Sequence, residues 1–467
     1  MMTLSLAVRN LLRNRRRSLA TLLALAIGTA SLLLFGGYSA DIRYAMLTGY
    51  VRAGGHLQIQ HRDFFLYGNG NPTAYAIRDV GPLIEAIRRD EPLKNLVTVV
   101  SPTLQFGGIA GNYDAGVSRT VIGTGFVADD VSRMREWNEY GIAQAAPRFA
   151  LQGAAGDSAI VGIGVARVLL LCEQLGIPNC PKPAAEVRQA GPALPDDIAA
   201  LAADTAPAAA PAQAPRKTGA RIELLAGHGR GSPNVAALNV LAAEDQGMKE
   251  LDEITVILPL KSAQQLVFGR ESPRATAIML QLHHTAQIPA ARARLQQLLQ
   301  QAAPGQPLTV LDFEVLNPFY RQTIDLFDTI FGFIFALIGG IVLFTVSNTM
   351  NAAVVERTTE IGTLRSVGLR QGGIRALFVT EGVLLGAVGA IVGVLSALGV
   401  AGMVNWMELT WLPPGSSERL PLNIRVWGET TMMVGAAVGL MFIAAGSAWW
   451  PAWRAARLKI VDALRHA

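Results

Sequence analysis

TIFGFIFALIGGIVLFTVSNTMNAAVV, the stretch at residues 329–355, contains no charged side chain. A helix of about 20 residues crosses the roughly 30 Å hydrocarbon core of a bilayer, so this stretch is long enough to span a membrane. Three further uncharged stretches have similar lengths, at residues 18–40, 382–407 and 430–453. Residues 41–328, which separate the first stretch from the other three, have mixed polarity. This spacing predicts four transmembrane helices with a large domain inserted after the first.

The predicted fold is an α-helical membrane protein with a mixed α/β extracytoplasmic domain between its first two transmembrane helices. Charged residues make up 16% of the chain, below the roughly 25% typical of soluble domains. Tryptophans near the ends of the uncharged stretches favour the membrane interfaces and shorten the predicted spans. The predicted segments are a basic amphipathic helix at residues 1–17, transmembrane helices at 18–40, 329–355, 382–405 and 430–450, and the inserted domain at 41–328.

The distribution of arginine and lysine predicts the orientation in the membrane, because basic flanks are retained on the cytoplasmic side. Residues 1–17 carry arginines and no acidic residue, and arginines also follow the second and fourth spans. The short segment 408–429 balances two arginines with three glutamates. We therefore expect both termini and residues 356–375 to be cytoplasmic. A cleaved signal peptide is the alternative for residues 18–40, but its apolar core is usually only 7 to 15 residues long.

The two cysteines, Cys172 and Cys180, both fall within the inserted domain. Outside the cytosol such a pair commonly forms a disulfide, and this short spacing allows one. Two free thiols are the alternative. No histidine lies within ten residues of either cysteine, so the sequence does not indicate a metal site there.

The inserted domain shows strand and helix patterns around one compositional break. Alternating or β-branched stretches predict strands, and helical periodicity predicts helices. The predicted strands are at residues 56–60, 254–260, 276–282 and 308–313, and the predicted helices at 80–89, 159–171, 261–268 and 288–302. Residues 181–217 are rich in proline and alanine and are expected to form a flexible insertion with one short helix at 196–203. The insertion is either a surface loop or an arm that contacts a partner.

Motifs of enzymes are absent from the sequence. It contains no phosphate-binding loop of the Gly-x4-Gly-Lys-Ser/Thr type, no Gly-x-Ser-x-Gly motif and no His-Glu-x-x-His motif. The glycine-rich residues 227–232 are interpreted as a turn. His283 and His284 are adjacent in a predicted strand, where neighbours point to opposite faces, so joint metal ligation is not expected. We predict no catalytic residue, no metal site and no cofactor, and the clustering of basic residues beside the spans argues against nucleic-acid binding.

The segment at residues 356–368, after the second span, combines apolar and charged residues. Ile361, Leu364 and Val367 recur at helical spacing among charged side chains. This pattern predicts a short amphipathic helix at the cytoplasmic membrane surface, with a simple surface connector as the alternative. Glu381, at the inner edge of the third span, is interpreted as a partner of the nearby arginines or as a silent interfacial carboxylate.

The same segment resembles the R-x-x-E-I-G-x-L-R-A-x-G signature of the MacB/FtsX/LolE-like permeases of ABC transporters, with Ser366 in place of the alanine. Residues 7–17 are similar to the basic entry helix of that family, and residues 451–458 with 462–465 to its C-terminal ending. Looser similarity covers residues 160–168, 231–234 and 251–253, while 172–217 lies outside the pattern. The residues that match the signature are Arg357, Glu360, Ile361, Gly362, Leu364, Arg365 and Gly368.

The resemblance implies a non-catalytic permease subunit in a bacterial inner membrane, with a MacB-like domain at residues 41–328 and an FtsX-like permease domain at 329–467. It further implies an ABC ATPase subunit as a separate chain and a second permease copy, identical or related. An envelope lipoprotein or periplasmic adaptor and membrane lipid are the other expected partners. ATP hydrolysis would move the extracytoplasmic domain, for lipoprotein release or substrate export. The alternative is a mechanotransmitting regulator of an envelope enzyme such as a peptidoglycan hydrolase.

Two sets of residues are the predicted sites of this permease. The first couples the chain to the ATPase and comprises Glu356, Arg357, Glu360, Ile361, Leu364 and Arg365. The second allows close packing of helices, because small residues four apart let helices approach, and comprises Gly382, Gly386, Gly389, Gly393, Gly435 and Gly439. Since the spans have almost no polar lining, the inserted domain is expected to move as a lever without a hydrophilic pore.

Overall fold

The computed structural model describes residues 2–13, 15–143, 148–178, 180, 219–227, 233–412 and 419–458. The chain divides into two compact units. The helical unit comprises Met1–Leu47, Pro318–Trp411 and Arg419–Ala467, and the mixed unit comprises Thr48–Asn317 and Leu412–Glu418. The predicted insertion at 181–217, the predicted turn beyond Gly227 and the family-like ending at 462–465 lie outside the described residues.

The described helices and strands alternate through the mixed unit, whereas the helical unit is almost entirely helical. In chain order the helices are α1 (Met2–Arg13), α2 (Arg15–Gly54), α3 (Phe64–Tyr67), α4 (Val80–Arg89), α5 (Glu91–Lys94), α6 (Ala128–Arg135), α7 (Ile163–Val168), α8 (Cys172–Leu175), α9 (Lys249–Asp252), α10 (Leu260–Phe268), α11 (Ile288–Ala302), α12 (Phe313–Leu316), α13 (Pro318–Glu356), α14 (Thr358–Ser366), α15 (Gln371–Trp406) and α16 (Thr430–Ala456). The strands are β1 (Leu57–His61), β2 (Val97–Asn112), β3 (Val117–Phe126), β4 (Ser158–Gly162), β5 (Arg221–Gly227), β6 (Pro233–Glu244), β7 (Thr255–Pro259), β8 (Ala277–Leu282), β9 (Leu308–Asp312), β10 (Thr410–Trp411) and β11 (Leu420–Pro421).

Four helices, α2, α13, α15 and α16, are long and apolar enough to cross a membrane. Each extends beyond the apolar stretch that predicted it, because a helix continues through the polar residues at a membrane interface once its backbone hydrogen bonds are established. The boundary between the two units falls inside α2, at Leu47 and Thr48, and again where α13 begins at Pro318. The sequence placed these boundaries at residue 40, where the first apolar stretch ends, and at residue 328, just before the second begins.

Six strands of the mixed unit form a closed barrel. The long strand β2 pairs with β3 and β5, β3 pairs with β7, β7 with β4, β4 with β6, and β6 with β5. Closure removes the free strand edges that would otherwise invite pairing with other chains. The barrel encloses an apolar core that includes Phe106, Leu224 and Leu258. A side chain at Gly123 would collide with the ring of Phe106, which fills the interior at that point.

The first half of β2 also belongs to an antiparallel sheet, in the order β2-β8-β1-β9. Helices α4 and α11 contribute Leu83, Ile87 and Leu295 to a second apolar core against this sheet. Alternation along β1 places Leu57 and Ile59 in that core, so the intervening glutamines point to the opposite face. The polar face of β1 therefore faces away from the core.

The structure confirms the helices predicted at residues 80–89 and 288–302, and the four predicted strands. It contradicts the helix predicted at residues 159–171. There, β4 occupies Ser158–Gly162 and α7 begins only at Ile163. Ala159, Ile160 and Val161 are all buried because β4 lies between two other strands. A short apolar stretch has the same composition in a buried strand and in a buried helix, so periodicity does not separate them.

Candidate functional site

The candidate site lies in the helical unit, where the chain passes from α13 through α14 to α15. Helix α13 ends at Glu356, and Arg357 breaks the helical backbone with φ −110° and ψ 19°. A second break follows α14 at Gly368, whose φ of 103° favours glycine. The predicted amphipathic segment is therefore a separate short helix held between two backbone breaks.

Arg357 and Glu381 form a buried ion pair beneath this short helix. The Nη1 atom of Arg357 donates to Oε1 of Glu381 at 3.1 Å, and Glu381 is only 2% exposed. Asn10 completes the group, because its Nδ2 donates to the same carboxylate oxygen at 2.6 Å. Its backbone carbonyl in turn accepts from Nη2 of Arg357 at 3.1 Å. The pair therefore links α1, the break before α14, and α15.

This arrangement gives Glu381 the role of an arginine partner, one of the two interpretations drawn from the sequence. A buried charge pair gains little net stability over apolar residues, but removing one member leaves an unpaired charge in the interior. The Nε of Arg357 is itself buried without a hydrogen-bond partner among the described residues. The geometry therefore favours a positioning role that fixes three helix segments relative to each other.

Two exposed ion pairs lie beside the buried pair. Arg13 pairs with Glu360 at 2.5 Å, and Arg17 pairs with Glu356 at 2.8 Å. Because both pairs are largely solvated, each is worth about 0 to 1 kcal/mol and can exchange for another partner. Arg365 instead donates to the backbone carbonyl of Leu458, after the end of α16. The charged residues of the predicted coupling set are thus divided, with Glu356 and Glu360 solvated and Arg357 buried.

The apolar residues of α14 do not form one buried face. Ile361 is buried, whereas Leu364 is exposed and Val367, just after the helix, is 85% exposed. Each step of three residues along a helix rotates by about 60° from its starting face, so Val367 lies about 120° from Ile361. Ile361 is the buried contact of the segment, and Leu364 and Val367 form an exposed apolar surface.

The predicted packing glycines of α15 contact two neighbouring helices. A Cβ atom at Gly382 or Gly386 would meet Ala448 or Ala444 of α16 at 2.6 or 3.1 Å. One at Gly389 or Gly393 would meet Leu25 or Thr29 of α2, each at 2.5 Å. The distances at Gly382, Gly389 and Gly393 are too short for a side chain and the one at Gly386 is tight, so glycine permits the close approach.

The two predicted glycines of α16 differ from one another. A Cβ atom at Gly439 would lie 3.0 Å from the ring of Phe335 in α13. At Gly435 no described atom of another helix would lie within 4 Å. Gly435 therefore does not pack against any helix among the residues that the structure describes.

Within the mixed unit, the structure joins Cys172 and Cys180 by a disulfide bond, with Cα atoms 6.2 Å apart. Cys172 is buried at the start of α8. The pairing in the mature protein stays a prediction with a direct chemical test. His283 and His284 follow the end of β8 rather than lying within it, since the strand stops at Leu282, and both are exposed.

A polar cluster that sequence reasoning missed surrounds His56, two residues after the end of α2. Its Nδ1 accepts from the backbone N–H of Leu282 at 3.0 Å, so the neutral ring carries its proton on Nε2, 3.4 Å from the Thr285 hydroxyl. That hydroxyl donates to Glu139 at 3.0 Å. Burial lowers the pKa of His56 to about 4, and the nearby Glu139 opposes this only partly. No sequence motif identifies the cluster, because its members are distant in the chain.

Metal ligation finds no support among the residues that the structure describes. No group of three or more histidine, cysteine, aspartate or glutamate side chains is arranged there to hold an ion. Asn10 was also missed as a site residue, although it lies in the basic stretch that resembles the family. Its only sequence signal is an amide within an amphipathic basic helix.

Comparison with known proteins assigns a class to the helical unit. Residues 329–460 match the family of the FtsX-like permease C-terminal domain. That range includes α14, α15, α16 and most of α13, and with them Arg357 and Glu381. The chain therefore carries an FtsX-like permease domain and, with its four apolar helices, is a multi-pass membrane protein.

Individual relatives are ABC transporter proteins. Over 212 residues the chain is 27% identical to the macrolide export ATP-binding/permease protein MacB of Nitrobacter winogradskyi, covering 44% of this chain and 30% of that protein. Over 168 residues it is 26% identical to the lipoprotein-releasing system transmembrane protein LolC of Haemophilus influenzae, covering 36% of this chain and 41% of that protein. The chain thus spans less than half the length of either relative.

A solved structure also aligns with the chain. The periplasmic region of MacB from Actinobacillus actinomycetemcomitans aligns over 59% of this chain and 95% of that region, at 9% identity and a TM-score of 0.32. At this score the alignment carries no argument about fold or function. The architecture of the mixed unit rests instead on its own strand pairings.

Proposed function

We propose that this chain is the permease subunit of an ATP-driven ABC transporter of the MacB/LolC type, non-catalytic itself and coupled to a separate ATPase chain. The observation that carries the proposal is the anchoring of α14 by the buried pair of Arg357 and Glu381 within an FtsX-like permease domain. A segment that transmits a displacement must be fixed rigidly to its own domain and must expose a surface that contacts the partner. The buried pair supplies the base, and Leu364, Val367 and the solvated glutamates supply the surface.

The proposed topology places α14 and both termini in the cytoplasm and the mixed unit outside the inner membrane. Support comes from the arginines of residues 1–17, before the first apolar helix, and from Arg357 and Arg365, after the second, because two crossings return a chain to the same side of the membrane. A membrane-impermeant maleimide tests this in intact cells carrying Ser366→Cys or Glu250→Cys, each in a chain with Cys172→Ser and Cys180→Ser so that no native thiol reacts. We expect labelling of the second variant only. Labelling of Ser366→Cys would show that α14 lies outside the cytoplasm and would contradict the proposed topology.

The proposed motion passes from α14 through the spanning helices to the mixed unit, for release of a lipoprotein or export of a substrate. Its support is that α2 runs unbroken from Arg15 to Gly54, across the boundary between the two units. The second permease copy and an envelope lipoprotein or adaptor are proposed partners. A route through a hydrophilic pore is not proposed, because the apolar spans offer little polar lining.

Charge reversal at Glu360 tests the docking of the ATPase. Glu360→Lys removes one solvated pair and places a positive charge on the contact surface, so we expect loss of ATPase copurification and of stimulated ATP hydrolysis with normal membrane insertion. Glu85→Lys is the matched control, since Glu85 of α4 is also an ion-paired helical glutamate, 52% exposed against 47% for Glu360. Retention of both copurification and stimulation in Glu360→Lys would rule out this docking site.

A further inference from the structure

A cavity of about 350 Å³ lies within the mixed unit, where helices α4, α5 and α6 meet the beginning of strand β2. Four consecutive residues of the strand, 97–100, line it. Because side chains alternate along a strand, Val100 packs with α4 and α5 on one face, while Val99 packs with Met134 of α6 on the other. The cavity is therefore bordered by helices that cover opposite faces of the same strand. The proposed coupling of α14 does not use it.

Three basic side chains line this cavity, one from each helix, and none of its lining residues is acidic. A single solvated arginine on a protein surface indicates no ligand. Here, the packing of α4, α5 and α6 brings three positive charges to one cavity. Like charges that line one cavity repel one another, and a bound anion would offset that repulsion. The three residues are Arg88, Lys94 and Arg133.

Arg88 is held in place by the backbone of β2. Its Nη2 donates to the carbonyl oxygen of Val100 at 3.1 Å. The carboxylate of Glu85 lies 3.9 Å from Nη1, which is too far for a hydrogen bond. A guanidinium has five N–H donors, so the contact with Val100 leaves others for a ligand. The side chain is 48% exposed, so a molecule from solvent can reach it.

The other two basic side chains are also accessible. Arg133 is 59% exposed and donates to Asp130, a residue that is only 6% exposed. This buried carboxylate fixes the guanidinium and offsets one of the three positive charges. Lys94 is exposed, and its ammonium group makes no ion pair or hydrogen bond among the residues that the structure describes. The cavity therefore keeps an excess of positive charge.

The three basic groups restrict the chemistry of a bound anion. A carboxylate has two oxygens, which match the fork of one arginine, whereas a phosphate monoester has three terminal oxygens and a charge of about −1.5 to −2 at pH 7. Arginine binds phosphate through paired hydrogen bonds and lysine binds it as a point charge, so the combination favours a phosphate group. The cavity volume falls in the range of small-molecule sites, so the phosphate can carry a small organic group.

We propose that this cavity binds a phosphate dianion, either free or as the terminal group of a small phosphomonoester. Arg88 and Arg133 donate to its oxygens through their remaining N–H groups, and Lys94 supplies the unpaired positive charge. The free ion and the ester present the same chemistry to these three residues. This binding belongs to the mixed unit alone and is independent of the proposed ATPase coupling.

Titration calorimetry on the full chain tests the proposal, in a detergent without a phosphate headgroup and at low ionic strength. The probes are inorganic phosphate and glycerol 3-phosphate, with acetate as a carboxylate and glycerol as a neutral molecule. We expect saturable binding of a phosphate probe, about tenfold tighter than acetate and weaker in about 0.15 M salt, where charges are screened beyond roughly 8 Å. Tighter binding of glycerol 3-phosphate identifies an ester as the ligand, and tighter binding of inorganic phosphate identifies the free ion. If neither phosphate binds, or if acetate binds as tightly, the proposal is overturned.

Variants locate the binding within the chain. Lys94→Gln and Arg88→Gln should each weaken phosphate affinity about tenfold, the effect of losing roughly one hydrogen bond to a charged group. Both side chains are exposed, so the variants should fold as the wild type does. Lys261→Gln, which removes an exposed lysine of α10 in the same unit, is the matched control and should bind as the wild type does. Equal affinity in all three variants would place the phosphate elsewhere and refute the assignment.

Discussion

Apolar side chains lie on both the inside and the outside of the helical unit, whereas the mixed unit concentrates them in buried cores, of which the two largest lie in the barrel and against the antiparallel sheet. Phe344 and Leu395 are largely exposed on the spanning helices, while Phe106 and Leu280 of the mixed unit are buried completely or almost so. In a membrane, apolar burial gives no strong preference for one helix arrangement over another. The helical unit is therefore specified by its close glycine contacts and by one buried ion pair. The mixed unit is specified by strand register and core packing.

Breaking the buried pair should have the largest effect of any single change in the helical unit. Glu381→Leu leaves Arg357 buried without a counter-charge, which costs about 3 to 5 kcal/mol. The double variant Arg357→Met with Glu381→Leu removes both charges and should recover most of that loss. Thermal or SDS unfolding of the detergent-solubilised chain measures both.

The exposed pair between Arg43 and Asp328 is the control for this experiment. Asp328→Asn should change stability by less than about 1 kcal/mol. If Glu381→Leu were as mild as Asp328→Asn, buried charge would not specify the helical unit. If the double variant were as unstable as Glu381→Leu, the loss would come from packing instead.

In the mixed unit, the corresponding experiment concerns the protonation of His56. Its lowered folded-state pKa of about 4 means that the folded state favours the neutral ring. The contribution of His56 to the free energy of unfolding is therefore fully present above the unfolded-state pKa of about 6.5. It is lost as pH falls towards 4, by up to about 3 kcal/mol. His56→Asn, which keeps an acceptor near the N–H of Leu282, should lose this pH dependence. The free energy of unfolding of the wild type and of His56→Asn is measured at pH 7 and at pH 4.5. If it changes equally between the two pH values in both proteins, His56 is excluded as the cause.

The disulfide between Cys172 and Cys180 should contribute about 2 kcal/mol to the mixed unit through the short loop that it closes. Cys172→Ser with Cys180→Ser should lower its unfolding midpoint and leave the helical unit unchanged. Alkylation without reductant followed by mass spectrometry tests the bond itself. Full labelling of both thiols would contradict it, and an unchanged midpoint in the double variant would remove its structural role.

The sequence predicted the helical unit more completely than the mixed unit, and the reason is physical. Twenty or more uncharged residues have one outcome in a membrane, so four spans follow from composition. Strand β4 was predicted as a helix because its three apolar residues carry no period. The long strand β2, shared by the barrel and the antiparallel sheet, was missed because its register depends on partners far along the chain.

The candidate site shows the same division. Arg357 and Glu360 were identified by a local motif, and Glu381 by its charge beside an apolar stretch. Asn10 was not assigned a role because it joins the site across more than 300 residues of sequence. The exposed position of Val367 was missed because spacing alone does not show which side of a short helix is buried.

The smallest predicted effects concern the two kinds of glycine in the helical unit. Gly393→Ala places a Cβ atom 2.5 Å from that of Thr29, so overpacking should outweigh the gain in helix propensity and cost about 1 kcal/mol. Gly435→Ala adds a methyl group where no described atom of another helix lies within 4 Å, and should stabilise by up to about 1 kcal/mol. SDS unfolding of the two variants in parallel measures the difference. Opposite signs would show that close glycine contacts specify the arrangement of α15 against α2. Destabilisation by Gly435→Ala of equal size would show instead that α16 packs there against a second copy of the chain.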